Sequence, residues 1–122
     1  MLRRFVVPIT VDSSGDAEVY SPVLSGHLHS IHYVKDDFAN GVDFVLTLES
    51  TGETVWSEED VNSSAVRYPR APTHSTTGVA ATYADGEPGV LDRIAVSQDR
   101  IKIEVAGGGT ENSGTIHLTV EG

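Results

Sequence analysis

Ile101-Lys102-Ile103-Glu104-Val105 and, beyond a glycine-rich loop, Thr115-Ile116-His117-Leu118-Thr119-Val120-Glu121 alternate apolar and polar residues without a break. A period of two puts Ile101, Ile103 and Val105 on one strand face, and Ile116, Leu118 and Val120 on another. The matching triplets, separated by the Gly107–Gly114 loop, predict that these two strands pair as an antiparallel hairpin. Val42–Glu49 repeats the pattern, with Phe44, Leu46 and Leu48 inward. Asn40-Gly41 before it is a turn signal, and Ser50-Thr51-Gly52-Glu53 closes a second hairpin onto Thr54–Ser57.

Working outward, Phe5–Val11 reads as a strand that Pro8 restricts to a sheet edge. Ala17–Leu24, interrupted by Pro22, reads as a second strand and Gly26–Lys35 as a third. Ser57-Glu58-Glu59-Asp60 has the form of a helix start, a capping serine followed by acids, with room for a single turn. Val66–Arg70, Gly78–Ala84 and Ile94–Val96 complete the set. Val, Ile and Thr make up 33 of the 122 residues and Leu only 7, which favours pleated strands over helices. The expected fold is all-β: a small antiparallel β-sandwich or β-barrel of about eight short strands. Residues 1–122 form a single domain, with residues 1–4 as an N-terminal contact arm. The apolar segment after Arg3-Arg4 is too short for a signal peptide, so none is expected.

Acidic residues number 18 against 8 basic, a net charge of −10. Nucleic-acid binding needs positive charge to displace phosphate counterions, and anionic membranes repel such a chain. No nucleic-acid or membrane partner is expected. The absence of cysteine removes thiol nucleophiles and cysteine metal sites. His27 and His29 are spaced to share a strand face with His32 opposite, but no further ligand lies at a metal-site spacing. Gly107-Gly108-Gly109 lacks the Lys-Ser/Thr and the helix of a phosphate loop, and no Gly-x-Ser-x-Gly elbow occurs. The chain therefore reads as a protein that is not an enzyme and takes no cofactor or metal. Tyr68-Pro69-Arg70-Ala71-Pro72-Thr73-His74, following Arg67, reads as a rigid contact loop, or as a crossover whose arginines pair with local acids.

Several segments together carry a family resemblance: Thr10–Ala17, Tyr20-Ser21-Pro22-Val23, Ser25-Gly26, Tyr33-Val34, Asp36–Phe44, Thr51-Gly52-Glu53, Tyr68-Pro69-Arg70-Ala71, Arg100–Val105, Gly107-Gly108-Gly109 and Ser113-Gly114-Thr115. Over nearly its whole length the chain resembles small all-β structural proteins of tailed bacteriophages encoded near the major capsid protein. The resemblance implies a virion structural protein, most simply a capsid decoration or cement protein on the shell surface, made in the host cytoplasm. Its implied partners are the major capsid protein and neighbouring copies of itself in a homo-oligomer such as a trimer. A tail or head–tail junction role, and a carbohydrate- or ligand-binding β-sandwich, are the alternatives. The expected partner-binding residues are Leu2, Arg3, Arg4 and Phe5 of the apolar-basic N-terminus, and Arg67, Tyr68 and Arg70 of the proline-rich loop.

Overall fold

A computed structural model describes all 122 residues. The chain is all-β, without helix, and its strands form two antiparallel sheets packed about one core. The strands are β1 (Leu2–Thr10), β2 (Ala17–Tyr20), β3 (Leu24–Lys35), β4 (Val42–Leu48), β5 (Thr54–Val61), β6 (Ala65–Arg67), β7 (Ala71–Pro72), β8 (Leu91–Asp92), β9 (Ile94–Asp99), β10 (Ile101–Ala106) and β11 (Ser113–Glu121). One sheet runs β1-β11-β3-β6, with β9 also on β3; the other runs β2-β10-β4-β5, and β7 and β8 form a separate ribbon. Pro8 lies on the edge strand β1, where its missing N–H costs least.

The alternating stretches bury the faces their periodicity assigns. Ile101, Ile103, Val105, Ile116, Leu118, Val120, Phe44, Leu46 and Leu48 are all buried. Their pairing differs from expectation. β10 and β11 do not form a hairpin: β10 pairs with β2 and β4, while β11 pairs with β1 and β3. The triplets lie in opposite sheets of the sandwich. The connecting loop explains the crossing. Gly107 and Gly109 take positive φ, the Gly108 N–H donates to Gly15 O at 2.9 Å, and the Glu111 N–H donates to Asp12 O at 3.1 Å. The loop is thus docked on the Asp12–Gly15 turn, which itself links the two sheets.

Three further expectations are corrected. The second strand stops at Tyr20 because Ser21 is pinned to β10: its N–H donates to Ile101 O and its Oγ accepts from the Ile101 N–H, each at 2.9 Å. The chain then crosses to the other sheet as β3. Ser57–Asp60 is strand, not helix; Ser57 and Glu58 pair with Val45 and Phe44. The bulge around Asp60, at φ 58, lets its N–H reach Asp43 Oδ1, and Val61 returns to the core. Residues 1–4 are not a separate arm, since Leu2, Arg3 and Arg4 pair with Glu121, Val120 and Thr119.

Aromatic side chains fill one end of the sandwich. Phe44 stacks on Trp56 at 5.1 Å and meets Tyr33 at 4.7 Å. Phe38, from the Asp36–Gly41 loop, closes that end over Gly114, where an added Cβ would lie 2.5 Å from the ring. Tyr33 is fully buried, and its hydroxyl has no hydrogen-bond partner. Burial, with a smaller contribution from Asp36, pushes this phenol up to about 12.

Candidate partner-binding surfaces

The outer face of the β1-β11-β3-β6 sheet is set by register. Val6, His117, His32 and Val66 face outward in one row across all four strands. Arg4, Thr119 and Ser30 form the adjacent row, and Pro8, Thr115 and Val34 the row on the other side. Val6 and Val66 are 53% and 45% exposed, so apolar side chains meet water on a sheet face that nothing in the chain covers. Among the strand residues on this face only one is a carboxylate: Glu121, at the rim, held by Arg93 at 2.6 Å.

A β-bulge in β3 decides which histidines belong there. The register against β11 shifts at Thr119/Val120, so Leu28 and Ile31, three residues apart, are both fully buried. The sequence expectation of His27 and His29 on one face, with His32 opposite, is therefore corrected. His27 and His32 share the outer face, and His29 sits in the bulge, where it contacts Ser30 Oγ and the Tyr68 ring. No group of three His, Asp or Glu side chains converges to hold a metal ion.

At the centre of the face the His32 and His117 rings lie 5.5 Å apart, and His117 Nδ1 is buried without a partner. Burial first, then the His32 and Arg4 charges, hold His117 below its ordinary value of 6.5. A group depressed in the folded state gives stability that is present above its unfolded pKa and is lost as pH falls through the folded one. The melting temperature is therefore expected to fall from about pH 6.5 downward, and His117→Leu is expected to flatten that slope. The carboxylates held low by hydrogen bonds, Glu49 to Arg100, Glu58 to Arg67 and Asp99 to Ser50, add their loss only on further acidification, below their ordinary values of 4.5 and 3.8. Thermal melts of both proteins above and below pH 6 check this; equal slopes would refute it.

The other sheet presents the opposite character. Glu18 and Glu104 stand directly opposite each other, held by Lys102 at 3.0 and 3.2 Å. Beside them is an open groove of about 510 Å³ that Asp12, Asp16 and Asp43 also line. The domain is thus polarised across its two layers, acidic on one outer face and almost free of carboxylates on the other.

The expected contact residues divide between roles. Leu2 and Arg4 face outward on the carboxylate-poor side, and Arg4 has no carboxylate partner within the chain. Tyr68 is 60% exposed beside His29. Arg70 donates to His29 O at 3.1 Å and Pro69 O at 2.8 Å, which fixes the loop against β3. Phe5 points to the interior and packs partly against the core, so it is chiefly a packing residue. Arg67 reaches Glu58 of β5 through two hydrogen bonds, at 2.8 and 2.9 Å, and so ties the two sheets together; Trp56 Nε1 donates to the same carboxylate at 3.1 Å. Val6, Val66, His32 and His117 are the surface residues that sequence reading missed. His117 was legible as an outward position; its alignment with Val6, His32 and Val66 depends on register between distant strands. No protein-family model matches the chain, and no curated protein sequence matches it.

Proposed function

We propose that this domain is a non-enzymatic virion structural protein, a capsid decoration protein that seats the outer face of the β1-β11-β3-β6 sheet on the major capsid protein of a tailed phage. The observation that carries the binding role is that face itself. On a chain of charge −10, a sheet surface with exposed Val6 and Val66, an unpaired Arg4 and a single rim carboxylate is where a partner can approach without repulsion. The phage shell as that partner rests on the sequence resemblance. Leu2, Arg4, Tyr68 and Arg70 border the contact. Trp56 is buried against Phe44, so it offers no exposed platform for a carbohydrate.

The test is co-sedimentation with phage shells stripped of their own decoration protein. The wild-type chain is expected to pellet with the shells. Val6→Asp and Arg4→Glu, each on an exposed side chain, are expected to melt near the wild-type temperature while weakening binding about tenfold or more. Full occupancy by both variants would overturn the assignment of the face. Binding to isolated tails and not to shells would move the protein to a tail or junction role. Residues 1–4 are a poor target for deletion, since removing them strips paired backbone from β1.

A further inference from the structure

The segment between β7 and β9 is a projecting arm without a core. Ala71–Pro72 pairs with Leu91–Asp92. Beyond them Thr73, Ala81 and Val90 lie side by side: the Thr73 N–H donates to Val90 O at 3.0 Å, while the Ala81 N–H donates to Thr73 O and the Val90 N–H to Ala81 O, each at 2.9 Å. No residue from Pro72 to Arg93 is buried. Val79, Tyr83 and Leu91 are 65%, 74% and 54% exposed. Backbone ladders of this size are marginal without a packed face, so an arm that exposes its apolar side chains is built to meet a surface.

Charge identifies the surface. From Pro72 to Asp92 the arm contains Asp85, Glu87 and Asp92 and no lysine or arginine; Arg93 at its base is taken up by Glu121, and none of the arm's carboxylates is in an ion pair. At the β1 edge of the five-stranded sheet Arg3 is exposed, with no carboxylate or hydrogen-bond partner, and the 88% exposed Met1 and the half-buried Phe5 lie two residues to either side of it. Within one chain β11 and β3 lie between that edge and the strands β6 and β9 that flank the arm, and no hydrogen bond or ion pair joins the two.

We propose that the arm docks on the β1 edge of a second copy of this chain, with Asp85 and Glu87 against Arg3 and the apolar side chains of the arm against Met1 and Phe5. The contact joins two different patches. Repeated in one direction it closes into a ring or continues as an open chain of copies, and exchanged reciprocally it closes a two-fold dimer. It uses Met1, Arg3 and Phe5, leaving the outer sheet face free, and it is independent of the shell assignment because it is measured on the purified protein alone.

Light scattering after size exclusion, over a concentration series at low salt, tests it. The wild-type protein is expected to self-associate, and added salt to weaken the association. Arg3→Glu and the double variant Asp85→Lys with Glu87→Lys are each expected to weaken association about tenfold or more while keeping the wild-type melting temperature. All three changes in one chain restore the charge pairing and are expected to restore assembly. A protein monomeric at every concentration, an assembly indifferent to both variants, or a triple variant as weak as the single and double ones would overturn the proposal. Loss of shell binding with assembly intact would instead count against the shell assignment alone.

Discussion

Ile103→Asp is expected to leave no folded protein. Ile103 is fully buried in the middle of β10, in register with Val19 of β2 and Leu46 of β4. The substitution removes a core side chain, which alone costs about 2–5 kcal/mol, and puts a carboxylate where neither water nor a cation can reach it. Together these cost at least about 5 kcal/mol, against a total stability of about 5–15 kcal/mol for a domain of ordinary stability. The adjacent Glu104→Gln, on the outer face, is the control. Glu104 is exposed and meets Lys102 at 3.2 Å, and such surface changes stay within about 0.5 kcal/mol. Circular dichroism and a urea titration of the two variants check the pair. A cooperative Ile103→Asp transition at the wild-type midpoint would mean that this face of β10 is not buried.

Gly26→Ala is expected to cost about 3 kcal/mol or more although it adds only a methyl group. Gly26 lies at the register shift between β3 and β9 with φ +129, a backbone conformation that side chains rarely adopt. A Cβ there would lie 2.3 Å from Glu121 O and 3.0 Å from Gly122 Cα. Both obstacles are backbone, so no rotamer change relieves them, and β3 and the end of β11 must separate. Gly52→Ala distinguishes the two causes. It also has positive φ, +75, but nothing lies within 4 Å of the added atom, so only the conformational cost remains, about 1 kcal/mol. Equal midpoint shifts for the two variants in denaturant would show that the close approach at Gly26 is not real.

The alternation in β4, β10 and β11, the β-branched excess and the turn signals were enough to determine an all-β antiparallel fold, sandwich or barrel, and the buried face of each of these strands. That is local information: a period of two fixes which side chains share a face whatever the strand pairs with. The partners of each strand were not legible. Two strands with equal inward triplets can pair side by side or face each other across a core, and both arrangements bury the same residues. The docking of Gly107–Asn112 on the Asp12–Gly15 turn, far away in sequence, selected the second for β10 and β11. Ser57–Asp60 was misread for a related reason. A serine before three acids suits a helix start, but the ladder with β4 and the pull of Arg67 and Trp56 on Glu58 hold the segment as strand.

The binding surfaces divide in the same way. An excess of arginines in irregular segments and an acidic balance can be read from the sequence, and of the residues they pointed to, Arg4 and Tyr68 have exposed side chains. They also pointed to Phe5, which packs on the core, and to Arg67, which bridges the two sheets. The carboxylate-poor face could not be read, because its central row takes Val6, His32, Val66 and His117 from four strands spread over 112 residues of chain. Only inter-strand register, reset by the bulge in β3, brings them together. Sequence sets what each strand offers to either side; tertiary pairing decides which offers stand next to each other, because hydrogen-bond register is a relation between segments and not a property of any one of them.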